Sequence, residues 1–361
     1  MRRVSFFRVR LGAAQEADER VLNEFIAKAK MIITSKELYP LVKEMRDKTK
    51  VKTLLMPDDA EITNISWVEK LLEGKSLLPV QVEIKPKQDV AAIIYTGGTT
   101  ATPKGVMLTH YNLVTNAIQN ATWFGWSPKD IIIGLLPFYH SWGACTCLNS
   151  AIYAGARVVV LPRFSPEELL ETIQREGATV LYGAASLFAM LVSSPIISKY
   201  NLSSLRYVKA GAMPIPIEIK ERWEKLTGVK MILGYGLTEA SSETHNSPPS
   251  RVKAGTIGIP IIDTEARVVD VETGRFNLPP GEMGELVIKG PQVMKGYWRN
   301  PAETKAALRC GWLYTGDLAM MEMATYGYFR IVDRKKDIIK YKGYTIAPAE
   351  LENVVYMHSA V

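Results

Sequence analysis

A chain of 361 residues, 47% hydrophobic and 22% charged, is long enough for two or three domains around a sizeable buried core. Lys and Arg number 44 against 37 Asp and Glu; the net charge of +7 suits anionic ligands or an acidic membrane surface, and without a long basic run it lends nucleic-acid binding little support. Cys145, Cys147 and Cys310 fit neither a disulfide framework nor paired zinc spacing, so they read as apolar packing residues in a reduced, cytosolic setting.

In chain order, the start MRRVSFFRVRLGAAQ carries four Arg and no acid. It lacks an apolar core stretch, and Glu16, Asp18 and Glu19 follow at once, so an unusual or truncated start is expected rather than an export signal. Apolar, β-branched runs predict strands at Met31–Thr34, Val90–Tyr95, Ile131–Leu136, Arg157–Leu161, Thr179–Tyr182 and Lys230–Leu233, with helices between them. The run Ile131–Phe138 is far short of the ~20 apolar residues a membrane helix needs, and it contains Pro137. Ser165-Pro166-Glu167-Glu168 supplies an N-cap, a first-turn proline and a capping-box acid. The apolar Leu169, Leu170 and Ile173 follow at helical spacing. This alternation predicts an α/β fold of layered subdomains with mostly parallel sheets. From about residue 263 to 335 short strands at Ala266–Val269, Gly284–Lys289 and Tyr326–Val332 alternate with turns such as Pro279-Pro280-Gly281, predicting a smaller β-rich subdomain.

Tyr95-Thr96-Gly97-Gly98-Thr99-Thr100-Ala101-Thr102-Pro103-Lys104-Gly105 follows a buried-type strand. Glycines there can turn the backbone and aim its N–H groups at a phosphate, the threonines add donors, and Lys104 adds a point charge. It is not a Walker A loop, because Pro103 and Gly105 flank the lysine where Gly and Ser or Thr belong. Read alone, such a loop is equally compatible with a flexible surface turn.

At these residues the chain resembles the adenylate-forming superfamily of acyl-CoA synthetases, luciferases and peptide-synthetase adenylation domains. The resemblance runs from about residue 22 to 361 and recurs, in order, at further motifs. It is nearest in character to medium- and long-chain fatty acyl-CoA synthetases, through Gly97-Gly98, Gly255-Thr256-Ile257-Gly258-Ile259-Pro260 and Gly290–Tyr297. Ala101 departs from the family's usual glycine.

The resemblance implies roles for several residues. In Gly234-Tyr235-Gly236-Leu237-Thr238-Glu239, Tyr235 stacks on adenine, Thr238 meets the α-phosphate and Glu239 holds Mg²⁺; by itself Glu239 could equally be a solvated loop acid. Ala210-Gly211-Ala212-Met213-Pro214 matches an adenine-side loop, with Gly211 and Pro214 in place and added bulk at Ala212 and Met213. In Tyr314-Thr315-Gly316-Asp317 the carboxylate accepts from the ribose hydroxyls. Arg334 also meets the ribose, and Lys336 is a hinge. The stretch from Ile339 to Glu350, with Lys340, Lys342 and Gly343, belongs to the CoA side; unaided, it reads as a solvated basic stretch. His140 matches a histidine beside the substrate carboxylate, while His110 reads as structural.

Together these imply an AMP-forming acid–thiol ligase using ATP, Mg²⁺ and CoA, cytoplasmic, with peripheral membrane contact as an open alternative and oligomeric state unspecified. The catalytic candidates are Thr238, Glu239, Lys104 and His140; the nucleotide candidates add Thr96, Gly97, Gly98, Thr99, Thr100, Gly211, Met213, Pro214, Gly234, Tyr235, Gly236, Leu237, Asp317 and Arg334. A fatty acid is the expected substrate, because Phe138–Ser150 contains no acid to meet a substrate ammonium. An aryl or short-chain acid ligase is the alternative, and a catalytically impaired nucleotide-binding fragment the alternative of another class. The expected division is a core over 1–335, incomplete at its start, and the beginning of a shortened C-terminal domain over 336–361, without the family's late catalytic lysine.

Overall fold

The computed structural model describes residues 6–8, 31–34, 52–55, 66–67, 82–96, 104–161, 164–213, 215–323, 327–337, 339–341, 344–346 and 348. The chain divides into two compact units, residues 1–85 with 92–105, and residues 86–91 with 106–361.

The first unit holds β1 (Phe6–Arg8), β2 (Met31–Thr34), β3 (Lys52–Leu55), β4 (Ser66–Trp67) and most of β5 (Val90–Thr96). β2, β3 and β4 form a parallel sheet in that order, with Met31 opposite Lys52, and β1 runs parallel to β5 with Phe6 opposite Ala92. The strands expected at Met31–Thr34 and Val90–Tyr95 are both present.

The second unit continues β6 (Lys104–Thr109) into α1 (His110–Trp123). Thr109 caps α1 and Asn112 answers it, closing a reciprocal capping box. The strands β7 (Ile131–Gly134), β8 (Arg157–Val160), β9 (Val180–Ala184), β10 (Tyr207–Gly211), β11 (Met231–Gly236), β12 (Glu243–Asn246) and β13 (Ile259–Pro260) form one sheet in the order β13-β12-β11-β10-β9-β7-β8. Its five strands from β11 to β8 are mutually parallel; β12 and β13 are added antiparallel. β7 stops at Gly134, two residues before the expected end. Pro137 offers no N–H, so no regular ladder can continue through that position.

The parallel strands are continuous apolar runs because both faces are covered. Neighbouring residues point to opposite sides. Ile133, Leu181, Val208 and Met231 pack into one core with Leu169, Leu170 and Ile173 of α3 (Pro166–Glu176), Phe188 and Leu191 of α4 (Ala185–Ser193) and Trp223 of α5 (Ile217–Thr227). Ile132, Val180, Tyr207 and Ile232 pack into a second core with Ala121, Trp126, Trp142 and Cys147. Ser165 caps α3 as expected, accepting from Glu168 N–H at 3.4 Å, but its own hydroxyl turns to Glu167 at 3.2 Å rather than sharing a full box with Glu168.

A five-stranded antiparallel sheet follows, β14 (Glu265–Val269), β15 (Met283–Lys289), β18 (Trp312–Met321) and β17 (Leu308–Arg309) in that order, with β19 (Phe329–Arg334) on β18. Val268, Leu286, Ile288, Ala319 and Phe329 form its core. Short β16 (Gly296–Tyr297) pairs antiparallel with Met107 and Val106. A last hairpin joins β20 (Ile339–Tyr341) to β21 (Tyr344–Ile346). The helix expected over residues 349–358 lies outside the described residues.

Candidate active site

Parallel strands of an open α/β sheet present their functional residues at their C-terminal ends. Here β10 ends at Gly211 and β11 at Gly236. A Cβ on Gly236 would stand 1.7 Å from the Ser242 carbonyl oxygen, so two backbones approach there in a way no side chain allows. Just past β10, Ala212 has φ of 68°, the left-handed region in which Ala costs about 1 kcal/mol. That is the physical content of the departure noted in the sequence. Met213 is exposed, and Pro214 lies outside the described residues.

Tyr235 donates its hydroxyl to Asp317 Oδ2 at 2.5 Å, joining motifs 82 residues apart. Behind it the ring meets His245 edge-on, and His245 meets Phe329. Burial pushes the Tyr235 phenol well up, so it stays a donor. Asp317 lies opposite Arg334 in the β18–β19 ladder, and Arg334 Nε stands 3.9 Å from its Oδ1. Burial raises the Asp317 carboxyl above the ordinary carboxylate range, while the Tyr235 hydrogen bond and the Arg334 charge pull the other way. A carboxylate beside a guanidinium and a half-buried aromatic fits a nucleoside: it can accept from ribose hydroxyls while the ring faces a base.

Thr238 and Glu239 fall on a short 3₁₀ turn after β11. Thr238 is buried, its hydroxyl 3.3 Å from that of Ser141. Tyr297 donates to Glu239 Oε1 at 2.9 Å, and Met294 N–H donates to the Glu239 carbonyl at 2.8 Å. Glu239 is thus held from the β16 side by a residue to which the sequence assigned no such task. Among the described residues no group of three or more His, Cys, Asp or Glu forms a metal cage. A single carboxylate such as Glu239, completed by phosphate oxygens and waters, suits the coordination habit of Mg²⁺.

His140 precedes an eight-residue π-helix, Trp142–Asn149. Its Nδ1 accepts from Trp142 N–H at 3.1 Å, which leaves Nε2 as the protonated nitrogen of the neutral ring. π-Helical turns are rare and concentrate at functional sites. Three side-chain contacts tie this turn to the β11–β12 connection: Ser141 to Thr238, Thr146 to Ser242 at 2.9 Å, and Trp142 Nε1 to Glu243 Oε1 at 3.1 Å. Ser141 and Trp142, the two residues that follow His140, are thereby held against Thr238 and Glu243.

Sequence reasoning missed the buried pair beneath these loops. Lys209 on β10 and Glu243 on β12 are 2% and 3% exposed and form a salt bridge. Asn246 Nδ2 adds a bond to Glu243 Oε2 at 2.8 Å, and the Phe124 and Tyr182 rings flank the ammonium. Burial lowers the Lys209 pKa, and the Glu243 charge opposes it. The one signal in the sequence was a lysine inside an otherwise apolar strand.

In the first unit, Thr96 Oγ1 donates to the Lys104 carbonyl at 3.5 Å, closing the two ends of the glycine–threonine loop. Gly97, Gly98, Thr99 and Thr100 lie outside the described residues, as do Lys342 and Gly343. Lys340 falls on β20, and Lys336 is exposed in the turn after β19. A surface hollow of about 330 Å³ is lined by His110, Leu113, Val114, Ala117, Ile152 and Tyr153, among others, and by none of the catalytic or nucleotide candidates. Among the described residues no helix is long and apolar enough to cross a membrane.

A long-chain-fatty-acid–CoA ligase of Bacillus subtilis (strain 168) is 40% identical over 337 residues, covering 92% of this chain and 60% of the relative. A probable 4-coumarate–CoA ligase 1 of Dictyostelium discoideum is 40% identical over 287 residues, covering 78% of this chain and 51% of the relative. This chain therefore spans little more than half the length of these curated relatives. The ATP-bound crystal structure of MatB from Rhodopseudomonas palustris shares the mixed α/β fold with a TM-score of 0.82 at 30% identity, covering 94% of this chain and 66% of that one. The family described as AMP-binding enzyme matches residues 13–298, which takes in the glycine–threonine loop and the Tyr235–Glu239 motif, and the chain belongs to that family.

Proposed function

We propose that the chain activates a fatty acid with ATP as its acyl-adenylate and passes the acyl group to CoA. The observation that carries this reading is the convergence of Tyr235 with Asp317, 82 residues away, and with Arg334 into one cluster. In the first half-reaction a substrate carboxylate oxygen attacks the α-phosphorus and pyrophosphate leaves with the electrons of the broken P–O bond. In the second, the CoA sulfur bonds to the acyl carbon, AMP leaves, and the thiol proton passes to solvent. Glu239 would hold Mg²⁺, which when bound would supply positive charge against the polyphosphate. Such transfers need positioning and electrostatics more than covalent help. Tyr297 fixes Glu239, and Tyr235 and Arg334 flank Asp317; Lys104, in its own unit, is the cation proposed for a phosphate. His140 sits beside the substrate carboxylate, with the CoA side at Lys340, Lys342 and Gly343. The same reading places a hinge at Lys336, dividing a core over 1–335 from a second domain. Peripheral contact at an acidic membrane rests on the net charge of +7 alone.

Plain acids are favoured over amino acids. Glu243 reaches the Trp142 indole, but Lys209 already neutralises it, so no carboxylate is left for a substrate ammonium there. An aryl acid is the second reading, favoured by the 40% identity to the 4-coumarate–CoA ligase relative. Pyrophosphate release across a panel of octanoate to palmitate, aryl acids and amino acids tests the choice. Fatty acids are expected to turn over fastest; faster release with any amino acid overturns the assignment. Asp317→Ala is expected to weaken ATP by about 1–3 kcal/mol, the worth of a charged hydrogen-bond acceptor. Unchanged affinity in that variant would remove Asp317 from the ribose site.

A further inference from the structure

Glu285 lies on β15 with a side chain only 5% exposed. Its register explains why a carboxylate is there. Glu285 pairs with Leu318 and Val287 with Tyr314, so Thr315, Gly316 and Asp317 face the single residue Leu286 and bulge out of the ladder. A bulge frees backbone groups that must find other partners. Thr315 Oγ1 donates to the Leu286 carbonyl at 2.8 Å and accepts from Asp317 N–H at 3.1 Å. Gly316 N–H donates to Glu285 Oε1 at 3.1 Å, while Gly316 itself takes φ of 75°. The other carboxylate oxygen accepts from Lys335 Nζ at 2.7 Å, and Lys335 N–H donates to the Gly316 carbonyl at 2.8 Å.

One buried carboxylate therefore braces two segments at once. Gly316 immediately precedes Asp317, and Lys335 immediately follows Arg334. On the nucleotide reading above, we infer that Glu285 is a positioning residue that sets Asp317 and Arg334 together against the ribose. Its charge is as necessary as its shape. A buried carboxylate is unfavourable unless paired and hydrogen-bonded, and here Lys335 and Gly316 meet both needs. A glutamine could still accept from Gly316, but its amide would face the ammonium of Lys335 donor to donor.

The test compares Mg·ATP and Mg·2′-deoxy-ATP binding by calorimetry for the unaltered chain, Glu285→Gln and Lys335→Met. The unaltered chain is expected to prefer ATP. Both variants are expected to lose about tenfold in ATP affinity, with a smaller loss for the deoxynucleotide, so that the ribose preference shrinks. If Glu285→Gln does not fold, Lys335→Met, at a more exposed side chain, carries the comparison. Folded variants that bind both nucleotides as the unaltered chain does would overturn the role of Glu285 alone. An equal loss for both nucleotides would mark Glu285 as merely structural and also overturn it. An unaltered chain that binds neither nucleotide would remove the ribose reading, and this inference with it.

Discussion

Gly236→Ala is expected to lower stability by roughly 3 kcal/mol or more and to abolish nucleotide binding. The added Cβ would meet the Ser242 oxygen at 1.7 Å, the Ser242 carbonyl carbon at 2.6 Å and the Glu243 Cα at 2.8 Å. All three are backbone atoms, so no rotamer change can relieve the clash. The β11–β12 ladder already shifts register between Tyr235 and Gly236. Forcing it apart would move Tyr235 on one side and Glu243, with its hold on Trp142, on the other. Thermal unfolding together with ATP titration checks this; a variant within 1 kcal/mol of the parent in stability, still binding ATP, would show that the strands tolerate separation.

The second large effect is a pH dependence centred on His245. The ring is fully buried between Tyr235 and Phe329, and burial lowers its pKa from 6.5 to about 3. Thr244 Oγ1 meets its Nδ1 at 2.9 Å, while Nε2 has no hydrogen-bond partner among the described residues. Between about pH 3 and 6.5 the unfolded chain carries a proton here that the folded chain excludes. Stability therefore rises with pH through that window, is complete above the unfolded value, and falls as acid is added. The full span corresponds to on the order of 5 kcal/mol. Most carboxylates titrate below ~4.5, so the interval from there to 6.5 isolates the histidine and about half of the effect. Denaturant unfolding across this interval should show the slope, and His245→Gln should flatten it whatever its absolute stability. An unaltered slope in the variant would place the acid sensitivity elsewhere. Because the folded ring stays neutral over that interval, nucleotide binding by the folded chain should not change there on account of His245.

How far these features were legible in the sequence follows from how local their causes are. The parallel strands were readable because a strand covered on both faces must be apolar throughout, as in Ile131–Ile133 and Val180–Tyr182. The start of α3 was readable because Ser165 and Pro166 act within one turn. The end of β7 was placed two residues late: the apolar Leu135 and Leu136 were counted into the strand, although Pro137 beyond them has no N–H with which to extend a ladder. The site divides the same way. The motif around Tyr235 and the turn at Asp317 were each visible, and the resemblance gave both to one nucleotide, but their direct contact was not readable, since no local rule joins residues 82 apart. Tyr297 under Glu239, Lys209 against Glu243, and Glu285 between Gly316 and Lys335 are all long-range contacts. None has a spacing to betray it, and each becomes visible only when the β-ladders set their registers.

The central claim is that this chain holds a nucleotide with its Tyr235–Asp317–Arg334 cluster, and titration calorimetry of the unaltered 361-residue chain with Mg·ATP tests it most directly. Saturable binding with a dissociation constant below about 1 mM, equivalent to roughly 4 kcal/mol, is the predicted result. No binding at millimolar nucleotide would contradict it.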